Sequence, residues 1–269
     1  MPLSVCATPI GNLEDVTLRV LAELREADVV LCEDTRRTRI LHDRHGVRAR
    51  ELVSYHEHNE AKRTAEVLPR LVAGERVALV SDAGLPTVSD PGARLVRAAI
   101  EADVDVAVLP GPSAVETALV ASGLVRERFH FVGYLPRGER ALARLWDEVR
   151  AWPWPVVAFE SPQRLPAALA SLAAAQPERH VAVCRELTKR FEEVARGTAQ
   201  ELAARFTEPP KGEITVVLGG GEVAETVAAE DAVAAVAELA ELGVPRRRAA
   251  EIIASVSGHA RKTLYDRSL

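Results

Sequence analysis

Short apolar runs alternate with amphipathic stretches along almost the whole chain. In the first part the pattern predicts strands at Leu3–Thr8, Asp28–Glu33, Leu52–Tyr55, Arg76–Val80 and Val104–Leu109. Helices are predicted between them at Asp15–Glu26, Thr35–His45, Asn59–Ala73 and Gly92–Ala102. In the last of these, Leu95/Val96 and Ala99/Ile100 recur at helical spacing. Such alternation builds βα units around a mostly parallel sheet. The pattern continues with helix Ser113–Ser122, strand Phe129–Tyr134, helix Glu139–Ala151, strand Val156–Glu160 and helix Gln163–Ala174. Strands His180–Glu186 and Glu193–Gly197, helix Ala199–Phe206 and strand Glu213–Leu218 complete it. No helix fits between the two consecutive strands, so part of the second sheet is expected to be antiparallel. The expected fold class is therefore α/β, with two α/β domains joined at a ligand cleft and a small C-terminal helical domain. The first sheet should be mostly parallel and the second mixed. The divisions fall at 1–112, 113–222 and 223–269, with Gly219–Gly221 as a flexible joint.

Three unusual turns follow strands: Thr8-Pro-Ile-Gly-Asn12, Ser81-Asp-Ala-Gly-Leu-Pro-Thr-Val-Ser-Asp-Pro-Gly92 and Pro110-Gly-Pro-Ser-Ala114. In an open α/β sheet they share the carboxyl edge of the strands, where such sheets bind ligands. Asp82, at a strand end, is expected to face the crevice. Asp90 precedes Pro91 and reads as an ordinary helix start. The Pro110–Ser113 turn offers helix N-terminal N–H groups to a carboxylate or phosphate. Glu33-Asp-Thr-Arg-Arg37 begins where another strand ends. There Asp34 reads either as a plain N-cap or as a ligand-orienting carboxylate.

Composition is that of an ordinary globular protein, 48% hydrophobic and 27% charged over 269 residues. Cys6, Cys32 and Cys184 lie far apart in apolar runs, which reads as buried, reduced thiols and a cytoplasmic protein. No leader-like segment opens the chain, and no apolar run nears the roughly 18 residues of a membrane span. The formal charge of −5 argues against indiscriminate nucleic-acid binding. The charge is uneven, however. Residues 245–269 sum to +4 and the remainder to −9. A basic helix-turn-helix-like tail, punctuated by Gly243 and Gly258, points to polyanion contact. A solvated cap or a dimer contact accounts for the same residues.

Neither G-x-x-x-x-G-K-[ST] nor G-x-G-x-x-G after the first strand is present, which weakens ATPase and nicotinamide-dehydrogenase readings. His56 and His58 alternate without a third partner, and no metal is expected. Arg164, Arg185, Lys189 and Arg190 follow strands of the second half. They read as a cationic wall for RNA phosphate or as surface ion pairs with Glu186, Glu192 and Glu193.

Taken together, Thr8–Arg19, Glu33–Arg36, Ser81–Gly92, Pro110–Ala114, Ser122–Leu124, Gly133–Pro136, Glu160–Pro162, Arg185–Lys189 and Lys211–Glu213 resemble one family. It is the ribosomal RNA small subunit methyltransferase I family of the tetrapyrrole-methylase-like superfamily. The tail, with Leu264-Tyr265, resembles that family's C-terminal helical domain. Two positions depart from its pattern: Gln163, where His is common, and Tyr134, where Phe is usual.

The resemblance implies S-adenosylmethionine-dependent 2'-O-methylation of a cytidine in the decoding region of 16S rRNA. It implies the small ribosomal subunit as substrate and a homodimer. The cofactor positions it implies are Pro9, Gly11, Asp82, Leu85, Ser113, Ala114, Leu135, Phe159, Gly212 and Glu213. A ribose hydroxyl needs a proton acceptor, for which Glu33, Asp34, Glu160 and Lys189 are the first choices, with Asp82 and Glu186 beside them. Lys189 needs a lowered pKa for that role. Arg36, Arg164, Arg185, Arg246, Arg247 and Arg248 are expected to contact RNA. The rivals are a small-molecule, tetrapyrrole-type methyltransferase and a non-catalytic rRNA-binding assembly factor.

Overall fold

The structure is a computed structural model that describes residues 2–87, 90–221, 229–257 and 259–269. The expected boundary at 222/223 and Gly258 lie outside them. The first sheet holds β1 (Leu3–Cys6), β2 (Val29–Cys32), β3 (Leu52–Ser54), β4 (Val77–Val80) and β5 (Val106–Leu109). All pairs are parallel, in the order β3-β2-β4-β1-β5. Its strands are near-continuous apolar runs because helices cover both faces. Val20, Leu21 and Leu24 of α1 (Leu18–Glu26) pack on Cys6, Val30 and Ala78. Leu71 of α3 (Glu60–Val72) and Leu95 of α4 (Ala93–Glu101) pack on the opposite face, against Leu3, Leu31 and Leu79. Helix α2 (Thr35–His45) starts at the Asp34 cap and ends at Gly46 in the left-handed conformation.

The expected helix Asp15–Glu26 is instead a 3-10 turn, Leu13–Asp15, followed by α1. Asn12 caps the turn and Thr17 caps α1, so the chain stays extended at Val16 and Thr17. Two competing caps split one apolar period.

The second sheet runs β6 (His130–Tyr134), β7 (Val156–Glu160), β10 (Ile214–Leu218), β8 (His180–Arg185), β9 (Glu193–Thr198). Only β6 and β7 pair in parallel, and β8–β9 is antiparallel as expected. One face packs on α6 (Glu139–Val149), α7 (Leu165–Ala175) and α8 (Ala199–Arg205). The other face packs on α5 (Ala114–Ser122), and Ile10 of the first turn inserts into the same cluster. The tail forms a separate apolar cluster from α9 (Ala229–Glu241), α10 (Arg246–Ser257) and α11 (Arg261–Arg267). Cys6, Cys32 and Cys184 are buried and unpaired. No helix among the described residues is long and apolar enough to cross a membrane.

Candidate active site

The ends of β1 and β4 are stitched together at the carboxyl edge. Thr8 N–H donates to Gly84 O at 2.8 Å, and Gly84 N–H donates to Thr8 O at 3.0 Å. The Thr8 hydroxyl donates to Ser81 O at 3.0 Å. The chain leaves these neighbouring strands toward opposite faces, which opens a crevice at the switch point. Glu60 accepts from the N–H groups of Gly92 and Arg94 at 3.1 and 3.3 Å. It therefore caps α4, which has no cap of its own. Asp90 is thus relieved of the helix-start role expected from sequence and lines the cavity instead.

A cavity of about 350 Å³ lies between the two sheets, walled by Ile10, Leu85, Val115, Phe159, Leu187 and Ile214. Ser113, Ala114, Gly212 and Glu213 line it as well, as do Asp90, Tyr134, Glu160 and Thr215. An adjoining cavity of about 260 Å³ shares Ile10, Ala83 and Glu213, and is lined by Pro9, Gly11, Arg37, Asp82 and Lys189. The residues expected at a cofactor thus divide between two neighbouring spaces. Leu135 lies in neither. Its side chain is buried in the second core, and its N–H donates to Phe159 O at 3.0 Å.

Two glycines set the shape. Gly212 adopts φ +98°, and a Cβ there would lie 2.3 Å from Glu186 Cγ. A side chain is barred on both counts. At Gly11 a Cβ would lie 2.5 Å from Lys189 Cγ. The neighbouring Asn12 N–H donates to Thr188 Oγ1 at 3.0 Å. Gly11 is therefore where the first turn meets the second domain.

The carboxylates fall into two groups. On the second domain, Glu160 is buried, pairs with Arg164 and accepts from Ser161 N–H at 2.6 Å. Burial raises its pKa, against the hydrogen bonds and charge of Ser161 and Arg164. Lys189 Nζ lies 2.8 Å from Glu186 and 2.9 Å from Glu213. Burial acts to lower the pKa of Lys189, but the two carboxylates outweigh it and the net shift is upward. A proton acceptor needs the opposite, so Lys189 is a fixed cation here. The Lys189 hydrogen bond holds Glu186 below its ordinary range.

On the first domain, Asp34 caps α2 and its carboxylate binds the Arg36 guanidinium, which holds it down to about 2. Asp82 accepts from Asp34 N–H at 3.0 Å and faces Arg37 at 3.4 Å. Glu33 is pushed up by burial and by Asp82. Asp90 is pushed up to about 6 by burial, then by Glu33, with Asp82 adding to the rise and the Ser81 hydroxyl opposing it.

The arginines expected to form a cationic wall are mostly engaged within the protein. Besides its pair with Glu160, Arg164 donates to Leu135 O at 3.1 Å. Arg185 donates to Glu193 at 2.8 Å and Lys211 O at 3.2 Å. Arg36 is exposed but bound to Asp34. Arg246, Arg247 and Arg248 start α10, where Arg248 pairs with Glu251. Arg247 also lines a basic surface hollow with Arg261, Lys262 and Tyr265.

Ile10, Leu187, Thr215 and Arg37 were missed from sequence. Ile10, Arg37 and Leu187 lie inside stretches that the sequence marked, without being singled out there, and Thr215 left the signal of a polar residue inside the apolar run Ile214–Leu218. Among the described residues, no group of three or more His, Cys, Asp or Glu is placed to hold a metal ion.

Residues 2–203 match the family of tetrapyrrole (corrin/porphyrin) methylases. The ribosomal RNA small subunit methyltransferase I of Mesorhizobium japonicum is 44% identical over 272 residues, 99% of this chain and 91% of that protein. This chain belongs to the ribosomal RNA small subunit methyltransferase I family, within the tetrapyrrole methylases. The Thermotoga maritima member of this family is also 44% identical, and 99% of it matches 82% of this chain. The methyltransferase fold recurs in solved structures. A Thermus thermophilus uroporphyrin-III C-methyltransferase complexed with S-adenyl homocysteine gives a TM-score of 0.56 at 20% identity, covering 83% of this chain and 98% of that one. A diphthine synthase gives 0.61 at 17% identity, covering 81% and 90%. At these identities the likeness is one of fold.

Proposed function

We propose that this methyltransferase moves a methyl group from S-adenosylmethionine to the ribose 2'-oxygen of a cytidine in the decoding region of 16S rRNA. Its substrate would be the small ribosomal subunit, and it would work as a cytoplasmic homodimer. The observation that carries this reading is the inter-domain cavity in a chain 44% identical to named rRNA methyltransferases along almost its whole length.

The residues present fit such a cofactor. About 350 Å³ is within the usual range of small-ligand sites. Apolar walls suit an adenosine and a thioether chain, and the α5 N-terminus with Ser113 suits a polar end group. Bare backbone at Gly212 leaves room where a side chain would intrude. Leu85, Ser113, Ala114, Phe159, Gly212 and Glu213 would hold it, with Pro9, Gly11 and Asp82 toward the adjoining cavity. When bound, S-adenosylmethionine supplies an electrophilic methyl carbon on a sulfonium. The protein's work is then to align a ribose oxygen with that carbon, exclude water and take up one proton. Such alignment is worth up to several kcal/mol of barrier. Arg36 and Arg246–Arg248 would meet RNA phosphate, since Arg164 and Arg185 are held internally. The units 1–112, 113–222 and 223–269 would act as cleft, clamp and RNA contact.

The test is transfer from labelled S-adenosylmethionine to small subunits isolated from cells lacking this gene. Ribose methylation is then mapped by nuclease digestion and mass spectrometry. One new 2'-O-methylcytidine in the decoding region is the expected result. Cofactor binding with no transfer to subunits or naked rRNA would sink it.

A further inference from the structure

Among the described residues, the first-domain edge holds one cavity-facing carboxylate, Asp90, that no ion pair neutralises; its hydrogen bond is with the neutral Ser81 hydroxyl. Every acid or amine favoured from sequence is engaged elsewhere or turned away. Asp34 caps α2 and binds Arg36. Asp82 is held by Asp34 N–H and Arg37. Glu160 binds Arg164 and Ser161 N–H. Lys189 is a cation clasped by Glu186 and Glu213. Glu33 lines neither cavity. Asp90 lines the larger cavity beside Tyr134 and has no ion-pair partner among the described residues.

We propose that Asp90 is the catalytic residue that takes the proton from the attacking ribose hydroxyl. The proposal rests on the reading above. As the oxygen–carbon bond forms, the carbon–sulfur bond breaks with its electron pair left on sulfur. The sulfonium charge is thereby discharged. The hydroxyl proton passes to the Asp90 carboxylate, which becomes a carboxylic acid and later releases the proton to solvent. Atoms and charge balance without a further reactant.

The surroundings suit that task. Glu33 and Asp82 face Asp90 from the ends of β2 and β4, and with burial they make its carboxylate a better proton acceptor than a free one. The Ser81 hydroxyl is the group that restrains this rise. Tyr134, Glu160 and Glu213 close the second-domain side of the same cavity. Tyr134 is itself raised by burial, with Asp90 and Glu213 adding, so it stays protonated. Glu60 holds the backbone two residues away through Gly92 and thereby positions the carboxyl.

The test measures kcat against pH for the wild type, Asp90→Asn and Asp90→Glu on small subunits. Calorimetric S-adenosylhomocysteine binding checks that each site is intact. The wild-type rate should rise with pH and level off above about 6, since only the ionised carboxylate accepts a proton. Asp90→Asn should lose about 10²-fold or more in kcat, together with the acid limb, while binding within a few-fold of wild type. Asp90→Glu should keep an acid limb at a shifted position. An Asn variant that binds cofactor and keeps kcat within about threefold overturns the proposal. If the Asn variant does not fold, a Glu variant with unchanged rate and profile overturns it instead. A wild type that methylates no RNA sinks the functional reading and this proposal together. Loss confined to the Asp90 variants supports both.

Discussion

The two edges that face each other across the cavity handle charge in opposite ways. The second-domain edge neutralises its carboxylates: Glu160 with Arg164, Glu186 and Glu213 with Lys189, Glu193 with Arg185 and Arg205. The first-domain edge crowds Glu33, Asp82 and Asp90 together and, among the described residues, leaves Asp90 without a cation. A neutralised network fixes geometry, and the strained left-handed backbone at Glu186 and Thr188 sits inside it. A crowded, under-neutralised carboxyl costs stability and gains proton affinity. The first edge is thus suited to chemistry, and the second to holding shape.

The largest expected effect tests the second edge. Glu160→Gln leaves the Arg164 guanidinium without its buried carboxylate. Urea unfolding should show a loss of about 3 kcal/mol, near the low end for broken buried pairs because Arg164 keeps its carbonyl partners. A loss under about 1 kcal/mol would place that edge on the same footing as a surface pair. Gly212→Ala should cost about 2 kcal/mol through positive φ and the clash with Glu186. It should also weaken S-adenosylhomocysteine binding at least tenfold by calorimetry, and unchanged binding would remove Gly212 from the cofactor wall.

The first edge predicts the reverse sign. Asp90 titrates at about 6 when folded, against an ordinary 3.8. Folding therefore favours its protonated form. That contribution is complete below about pH 4 and is lost as pH rises through about 6. Asp90→Asn should thus melt a few degrees above the wild type at pH 8 and level with it at pH 4. A variant that melts lower at both pH values would make Asp90 a structural residue. The smallest effect belongs to Arg205→Ala. This half-exposed partner of Glu193 should contribute about 0.5 kcal/mol or less by the same urea titration.

Much of the fold was legible because its causes are local. Helix α2 matches its expected bounds, since Asp34 and Gly46 sit at its ends in sequence and in space. Strand Val156–Glu160 matches for a similar reason, as an unbroken apolar run between turns. The helix before β2 was misread because Asn12 and Thr17 each hold a cap, and periodicity carries no record of which one wins. At the site, the three Gly/Pro turns were found, but Asp90 was read as a helix start. The group that displaced it, Glu60, lies 32 residues upstream of Gly92. For Arg164 and Arg185 the sequence left a cationic wall and ion pairs both open, because the carbonyl of Leu135 and the carboxylate of Glu193 reach them only after the second sheet assembles.

The sequence by itself determined the βα alternation, the three turns at one edge, the basic tail and the family. Each depends on periods of two and 3.6 residues, on turn chemistry or on residue identity, all of which are written locally. Only the tertiary structure decided which carboxylates are neutralised and which one is left facing the cavity. Coulomb and desolvation terms depend on distance and burial in space, so charges far apart in the chain settle one another's ionisation only once both sheets close around the same cavity.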